Sequence, residues 1–254
     1  MRNLKVIFLL ILYVKNWPLF FANRLGWVAK NHITYYLRSG HAIAVEGGTA
    51  DWWNVFYEVF VEHAYTPEGF GLSTADTVID IGAHIGIFSL YAASKVKKVY
   101  AFEPVQANFH LLQENVKMNH CDNVVAVRAA VSDTIGTKNI FVSTSSVSHS
   151  LHIQEAGAAQ ELVPTISLEG ILRQHNITAI DFLKMDCEGA EYDILFNCPP
   201  EILGKINRIS MECHHTGEGK NAKAMESFLR QSGFQTRVQT IQNTNASYIF
   251  AQKL

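Results

Sequence analysis

The residues best placed to do chemistry lie at the ends of apolar segments that have the pattern of buried strands. One segment, V-I-D-I-G-A-H-I-G at residues 78–86, is an apolar strand that leads through a glycine turn into a helix. In sheets of this kind ligands bind beyond the carboxyl ends of the strands, next to such a turn. Gly82 allows the tight bend, and Gly86 allows the helix start to approach a strand or a ligand. We expect Asp80, just before the turn, to order the loop or to bind an amino group of a cofactor.

The glycine spacing separates two classes of nucleotide cofactor. A dinucleotide-binding turn would have glycine at positions 82, 84 and 87, but this chain has Gly82, His84 and Ile87. The turn therefore lacks the bare backbone surface that a pyrophosphate needs, and S-adenosylmethionine has no phosphate. Glu103 ends the second apolar strand 21 residues after Gly82, where a carboxylate accepts hydrogen bonds from both ribose hydroxyls. Because NAD and S-adenosylmethionine enzymes share that contact, the glycines alone favour S-adenosylmethionine.

A carboxylate-rich segment, F-L-K-M-D-C-E-G-A-E, occupies residues 182–191. Its strand ends in Asp186, and period-two geometry puts Lys184 on the same face. With Glu188 and Glu191 close behind, three carboxylates at a ligand-binding edge must be paired, hydrated or used. The two glutamates also suit the positively polarised start of a helix, which is a purely structural alternative.

The segment I-S-M-E-C-H-H, at residues 209–215, ends a further strand at the same edge. His214 or His215 could remove a hydroxyl proton near neutral pH. Alternatively, Glu212 and His214 could join Asp186 in binding a divalent ion that acidifies the hydroxyl. Ordinary structural roles for the histidines are the third interpretation. The four cysteines contain no C-x-x-C pair, so we expect no structural metal site and a reduced, intracellular set of thiols.

The alternation of strand and helix patterns from Thr77 onward predicts an α/β domain with a mainly parallel sheet, helices on both faces and a final antiparallel strand. We assign residues 71–254 to this domain and residues 1–70 to an N-terminal helical and hairpin cap without catalytic residues. In the cap, a turn at Ser39-Gly40 predicts a hairpin, and helical spacing predicts a helix over 52–64 that Asp51 caps. The insertion at 132–164 shows no clear period and is expected to be a binding loop. The predicted strands are Thr77–Ile81, Lys98–Phe102, Val124–Ala130, Asp181–Met185, Arg208–Met211, Phe234–Thr240 and Ser247–Ala251, and the predicted helices are Gly86–Ser94, Gln106–Asn119, Ser167–His175 and Ala222–Ser232.

The charge balance and the N-terminus bear on partners and location. The net charge of −2 gives no basic field for a nucleic acid, so we expect a small or carbohydrate acceptor. The apolar run at 6–14 is too short to span a bilayer, which takes about 20 residues, and no convincing signal-peptide cleavage site follows it. Residues 1–30 therefore predict a helix docked on the main domain, with an interfacial membrane anchor as the alternative. We expect a cytoplasmic protein, with peripheral contact at the inner face of the membrane under that alternative.

Taken together, the motifs resemble the FkbM family of S-adenosylmethionine-dependent methyltransferases. The resemblance runs from about Val55 to Ser210 and rests on D-I-G-A-H-I-G, on F-E-P, on V-S-D with a later glycine, and most distinctively on K-M-D-C-E-G-A-E. It implies a class I methyltransferase fold of seven strands with the last antiparallel. His84 stands where many other methyltransferases have glycine, but this family often has Asn or His there.

The resemblance also implies roles for residues and a reaction. By motif match, S-adenosylmethionine would contact Asp80, Gly82, Ala83, His84, Gly86, Glu103, Ser132, Asp133 and Asp186, with residues 130–133 at the adenine. Asp186 and Glu188 would lie near the transferred methyl group, and we group them with His214 as catalytic candidates, with a loop around His149 closing over the acceptor. The implied reaction is O-methylation of a glycan, a glycolipid or a small-molecule natural product. The alternatives are a non-catalytic module of the same fold that binds a membrane or partner, and an NAD-dependent oxidoreductase.

Overall fold

The structure is a computed structural model that describes residues 2–28, 32–48, 52–142 and 159–254. The strands are β1 His32–Tyr36, β2 Ala42–Glu46, β3 Thr77–Ile81, β4 Lys98–Phe102, β5 Val124–Val127, β6 Ala130–Val131, β7 Gly136–Val142, β8 Ala159–Ile166, β9 Phe182–Met185, β10 Arg208–His214, β11 Phe234–Thr240 and β12 Ala246–Lys253. The α-helices are α1 Arg2–Tyr13, α2 Pro18–Arg24, α3 Trp52–Phe56, α4 Ile87–Ala93, α5 Gln106–Met118, α6 Leu168–Gln174, α7 Glu191–Phe196, α8 Pro200–Leu203 and α9 Ala222–Gln231, and a π-helix spans Tyr57–Val61.

The central sheet has seven strands in the order β11-β12-β10-β9-β3-β4-β5. Strands β10, β9, β3, β4 and β5 pair in parallel. Strand β12 pairs antiparallel with both β10 and β11 and therefore runs opposite to the other described strands of this sheet. The predicted α/β fold, mainly parallel with a final antiparallel strand and helices between the strands, is therefore confirmed.

The strand sequences explain why the sheet is buried on both faces. Successive side chains of a strand point to opposite faces, and on β3 Val78 contributes to one apolar cluster and Ile79 to the other. On β9, Phe182 and Leu183 divide between the same two clusters. Polar residues on these strands are therefore enclosed unless they lie at the carboxyl edge, and the functional site lies at that edge.

We predicted that the insertion at 132–164 is a loop without regular structure, and this prediction is wrong for the part that the structure describes. Strands β7 and β8 pair antiparallel, and β8 also pairs in parallel with β6 to form a separate three-stranded sheet. The strand expected over Val124–Ala130 is divided between β5 and β6 because the chain leaves the central sheet after Val127. The β-branched and aromatic residues of G-T-K-N-I-F-V, with Ile140 buried, are the signal for β7. The serine-rich stretch from Ser143 and the proposed loop around His149 lie outside the described residues.

The cap contains the predicted hairpin, since β1 and β2 pair antiparallel around a turn at Gly40 with φ +101°. The helix expected over 52–64 begins at Trp52 but changes from α to π geometry at Tyr57, and the proposed N-cap Asp51 lies outside the described residues. Sequence spacing does not distinguish the two geometries over one turn, because both keep the aromatic residues on the inner side.

Two asparagines of α5 attach the cap to the main domain. The side chain of Asn115 accepts from the amide of Ala44 at 2.6 Å and donates to its carbonyl at 3.1 Å, while Asn119 makes the same pair of bonds with Ala42 at 2.8 and 2.7 Å. Asn115 also donates to the Ile85 carbonyl at 2.8 Å. Strand β2 thus has part of its backbone satisfied by side chains of the neighbouring helix, and cap and domain share one apolar cluster.

The N-terminal apolar run forms a helix, as expected, but helix α1 packs on residues of the cap, whereas we expected it on the main domain. Leu10 and Val14 are fully buried, and the Tyr13 and Phe56 rings meet edge to face at 5.9 Å. Among the described residues, no helix has the length and apolarity to cross a membrane.

Candidate active site

An open cleft lies at the carboxyl edge of β3, β4 and β9, and its free space, including the part open to solvent, is about 920 Å³. The turn after β3, the end of β4 and the segment after β9 form its floor, and the cap supplies one wall through Val55, Val59 and Tyr65. Of the residues predicted to bind the cofactor, Gly82, Ala83, His84, Glu103 and Asp186 line the cleft.

Gly82 occupies a position that no other residue fits. Its φ is +73°, and a Cβ atom placed there would lie 1.8 Å from the backbone carbonyl oxygen of Asp186. The amide of Asp186 bonds the Ile81 carbonyl at 3.0 Å, so the ends of β3 and β9 are held in contact. A bare backbone at Gly82 therefore lets the two strands deliver their polar ends to one point.

Glu103 is 5% exposed at the tip of β4 and orders the glycine turn. Its two carboxylate oxygens accept hydrogen bonds from the backbone amides of His84 and Val105, both at 2.9 Å. Burial raises the pKa of Glu103 to about 7, against the lowering effect of these bonds. Each carboxylate oxygen can accept more than one hydrogen bond, and Glu103 lines the cleft. The residue therefore fits the ribose-binding role expected from the sequence.

Asp80 lies beneath the turn and is fully buried. Its Oδ1 forms an ion pair with Lys184 Nζ at 3.1 Å, and Ser89 donates to its Oδ2 at 2.7 Å. Asp80 and Lys184 are direct partners in the parallel register of β3 and β9, which is why the charges meet. Lys184 in turn donates to the Gly82 carbonyl at 2.9 Å. Asp80 is not among the residues that line the cleft, so this geometry supports the loop-ordering alternative over contact with a cofactor amino group.

Three further cofactor candidates also lie outside the lining of the cleft. Gly86 has φ +90°, and a Cβ there would lie 2.6 Å from Leu112 Cδ1. The absence of a side chain at Gly86 therefore allows α5 to pack close to the start of α4. Ser132 donates to Asp133 at 2.7 Å, and Lys138 pairs with Asp133 at 2.8 Å. The hydrogen bonds from Lys138 and Ser132 lower the pKa of Asp133 to about 2. At this end of the cleft the lining consists instead of Ala129, Ala130 and Val131.

The catalytic candidates Asp186, Glu188 and His214 meet beyond β9 and β10, where Asp186 and Glu188 line the cleft and His214 lies behind them. Tyr65 donates to Asp186 Oδ2 at 2.8 Å. His214 Nδ1 lies 3.0 Å from Glu191 Oε1, while its Nε2 faces Glu188 at 3.5 Å and Glu212 at 3.6 Å. The sequence motifs after β9 and at the end of β10 therefore form one cluster of carboxylates around a single histidine.

Burial and mutual repulsion change the protonation of this cluster. Burial first, and then the neighbouring carboxylates, raise the pKa of Glu188 to about 7 and that of Glu212 to about 8. Burial alone would lower the pKa of His214, but Glu191 and the other carboxylates outweigh it and raise the pKa to about 10. The raised pKa of His214 favours its imidazolium form at neutral pH in this arrangement, in which both ring nitrogens carry protons.

The same side chains have the spacing of a metal site. One ligand atom each from Asp186, Glu212 and His214 lie within 4.8 Å of one another. Glu191 on the far nitrogen of His214 matches the carboxylate–histidine arrangement that orients metal-binding histidines. A divalent ion would hold His214 neutral, so the two uses inferred from sequence, proton transfer and metal binding, predict different protonation states of this residue.

Sequence reasoning missed the contribution of the cap. Tyr65 is 3% exposed and bonded to Asp186, and Glu58 on the π-helix has its pKa raised to about 7 by burial and then by the charges of Asp186 and Glu62. Tyr248 on β12 meets the Tyr65 ring at 5.7 Å. No motif surrounds these residues. Contacts between elements distant in the chain bring them near Asp186, and the π-helix, a geometry often found at functional sites, is invisible in the sequence.

Known proteins resemble this chain in sequence and in fold. The methyltransferase FkbM of Streptomyces tacrolimicus, which acts on 31-O-demethyl-FK506, is 26% identical over 71% of this chain and 81% of its own length. The antimetabolite synthetase AmbE of Pseudomonas aeruginosa is 26% identical over 72% of this chain, which spans only 11% of that much longer protein. The crystal structure of an FkbM methyltransferase from Methylobacillus flagellatus aligns with a TM-score of 0.52 and 14% identity, covering 77% of this chain and 47% of that one.

The model of the methyltransferase FkbM domain matches residues 80–236. This range begins in β3, contains the glycine turn, Glu103 and the carboxylate cluster, and ends in β11. It covers 157 of the 254 residues, which is more than half of the chain. The expected cofactor, S-adenosylmethionine, is confirmed, the alternative of an NAD-dependent oxidoreductase is set aside, and the protein belongs to the FkbM family of S-adenosylmethionine-dependent methyltransferases.

Proposed function

We propose that this enzyme methylates a hydroxyl oxygen of a small-molecule natural product or a glycan. The observation that carries the proposal is the position of Asp186, which lines the cleft between the Gly82 turn and the cluster around His214. A carboxylate at that point is next to the cofactor side of the cleft and to the space left for an acceptor.

The cofactor side is defined by backbone and by one carboxylate. Glu103 would bind the ribose hydroxyls, with Ala83 and His84 along the turn, and Ala130 and Val131 would contact the adenine through apolar surface. When bound, S-adenosylmethionine supplies a methyl group attached to a positively charged sulfur. Once the methyl group is transferred, the remainder of the cofactor is a neutral thioether. The protein has to align the acceptor oxygen about 3 Å from that methyl carbon and exclude water.

The hydroxyl proton goes to a carboxylate in this proposal. Asp186 accepts this proton, and the Tyr65 hydroxyl, which donates a hydrogen bond of 2.8 Å, holds its carboxylate in place. His214, as an imidazolium, keeps Glu188 and Glu212 oriented. Asp186, Glu212 and His214 would alternatively hold a divalent ion, which would supply a lowered pKa to a hydroxyl oxygen bound there.

Two observations support the proposed class of methyl acceptor: the carboxylates around the acceptor end of the site, and the substrate of a related enzyme. The tacrolimicus enzyme acts on a substrate whose name specifies an unmethylated oxygen. Glu58, Glu188 and Glu212 place carboxylates around the acceptor end, which disfavours the phosphates of a nucleic acid. The cysteines Cys121, Cys187, Cys198 and Cys213 are all free thiols, which supports action in a reducing compartment such as the cytoplasm.

The test transfers a labelled methyl group from S-adenosylmethionine to a panel of hydroxyl-bearing macrolides, oligosaccharides and glycolipids, with the bond identified by NMR. We expect an O-methyl product, and a fall in kcat of about 100-fold for Asp186→Asn, with cofactor affinity retained by calorimetry. Asp122→Asn, on an exposed aspartate that does not line the cleft, is the matched control. Methylation on nitrogen or carbon, or full turnover by Asp186→Asn, would contradict the proposal.

A further inference from the structure

The outer side of α1 is apolar although it faces solvent. Phe8, Ile11 and Leu12 are 65%, 40% and 49% exposed, at the spacing of one helical face. The inner side holds Leu10 and Val14, which are fully buried. Helix α1 is therefore apolar around most of its circumference, and only one side is used to dock it on the cap.

The exposed face continues onto the hairpin. The Lys15 amide donates to the Tyr36 carbonyl at 2.7 Å, and Arg38 Nε donates to the Ile11 carbonyl at 3.0 Å. Tyr36 is itself 53% exposed. We name the surface formed by Phe8, Ile11, Leu12 and Tyr36 the cap patch.

Exposed apolar side chains are concentrated in this part of the molecule. Leu25 and Trp27 of the cap are 58% and 78% exposed. With the cap patch they make six of the eleven large hydrophobic residues that are exposed in the described part of the chain. Isolated exposed hydrophobic residues are ordinary, but a concentration of them marks an interaction surface.

The charge of the same segment is strongly positive. Residues 1–45 contain no Asp or Glu, and their basic residues are Arg2, Lys5, Lys15, Arg24, Lys30 and Arg38. The rest of the chain has 21 − 6 = 15 basic and 23 acidic residues, a net charge of −8. Lys15, Arg24 and Arg38 are exposed, and hydrogen bonds to Tyr36 and Ile11 hold Lys15 and Arg38 beside the cap patch.

We propose that the cap patch binds the surface of an anionic lipid bilayer, with α1 lying in the plane of the headgroups. The 12 residues of α1 extend about 18 Å, whereas a hydrocarbon core is about 30 Å thick. Phe8 and Leu12 enter the boundary between headgroups and acyl chains, and the basic residues contact lipid phosphates. Trp27 and Tyr36 have the amphipathic rings that favour this boundary.

The charge pattern argues against a second copy of the chain as the occupant. A twofold contact would place the same surface on both sides, and each side would bring Lys15 and Arg38 toward those of its partner. An anionic bilayer instead offers negative charge and apolar volume together. The inference is independent of the acceptor and of methyl transfer.

The test is flotation of the full chain with vesicles of phosphatidylcholine alone and of phosphatidylcholine mixed with phosphatidylglycerol. We expect binding to the mixed vesicles, weakened at about 1 M salt, where the Debye length is about 3 Å. Phe8→Ser with Leu12→Ser removes apolar surface from α1 without touching its buried side and should weaken binding about 30-fold. Leu162→Ser with Val238→Ser, on exposed residues outside the cap, should bind like the wild type.

Several results would overturn the inference. Failure of the wild-type chain to float with the mixed vesicles is one, and equal binding by the Phe8 and Leu12 variant is another. A wild-type dimer in light scattering that this variant converts to a monomer would assign the patch to self-association. Calorimetric binding of S-adenosylmethionine by each variant, together with its melting temperature, establishes that the fold is intact.

Discussion

The ion pair between Asp80 and Lys184 should be among the most sensitive points of the structure. Both side chains are withdrawn from water, at 0% and 4% exposure, and their charged atoms lie 3.1 Å apart. In Lys184→Met the aspartate would remain buried without a counter-ion, which typically costs about 3–5 kcal/mol. At about 2–4 °C per kcal/mol for a chain of this size, we expect the melting temperature to fall by about 10 °C.

Chemical denaturation and calorimetric melting measure this effect, and two variants separate its causes. Lys220→Met removes an ion pair with Asp193 whose lysine is 39% exposed, and it should cost less than about 1 kcal/mol. Adding Asp80→Asn to Lys184→Met removes the stranded charge while keeping an acceptor for Ser89, and should recover about 2 kcal/mol.

Binding of S-adenosylmethionine gives a second readout. Because Lys184 donates to the Gly82 carbonyl, the lysine variant should also bind the cofactor more weakly, even at temperatures where it is fully folded. A Lys184→Met protein as stable as the Lys220→Met control would refute the reasoning, since it would mean that Asp80 carries no charge or is reached by water.

Three further perturbations test the site. Gly82→Ala should cost at least about 3 kcal/mol, from a disfavoured φ and a clash with backbone that cannot move aside; Gly71→Ala, where a Cβ meets nothing within 4 Å, is the control in the same denaturation assay. Stability should fall as pH rises from about 5 to 9, because the pKa values of Glu212 and His214 are raised to about 8 and 10 in the folded state, so the native protein holds protons that the unfolded chain releases. Tyr65→Phe removes the hydrogen bond to Asp186 and should lower kcat about tenfold with cofactor affinity unchanged.

Each of these has a distinct contrary result. Equal stability of the two glycine variants would mean that β3 and β9 do not meet as described. A melting temperature that is constant or rises between pH 5 and 9, or a slope that Glu212→Gln leaves unchanged, would contradict the protonation scheme. An increase in KM with kcat unaltered in Tyr65→Phe would make Tyr65 a substrate-binding residue rather than one that positions Asp186.

The central domain was predictable from sequence because its signals are local. An apolar run that ends in Asp80, Gly82 or Glu103 specifies a strand, its end and its polar tip within a few residues. The three-stranded sheet was missed because residues 143–158 separate β7 from β8 in the chain. Pairing of strands so far apart in the chain leaves no local pattern in the sequence. Tyr65 reaches Asp186 across 121 residues of sequence, so only the assembled fold reveals it.

The protonation states were beyond sequence reasoning for a different reason. His214 has the residue type of a general base, but three carboxylates within 3.6 Å of its ring nitrogens reverse that role. Distances of this size decide whether a histidine is charged, and the residues adjacent to it in the sequence do not determine these distances. The expected role of Asp80 likewise depended on Lys184, which lies more than 100 residues away in the chain and directly opposite in the sheet.

The hydrogen bonds from Asn115 and Asn119 to the backbone of β2 have a consequence for any attempt to shorten the protein. These side chains act toward Ala42 and Ala44 as an adjacent strand would, so removing the cap takes these bonds from the two amide groups and uncovers an apolar face of α5. In hydrogen-exchange experiments the amide protons of Ala42 and Ala44 should therefore exchange as slowly as those of β3 and β4, by unfolding of the whole molecule. The point at which the chain can be cut without loss of the fold is then not the boundary suggested by its motifs.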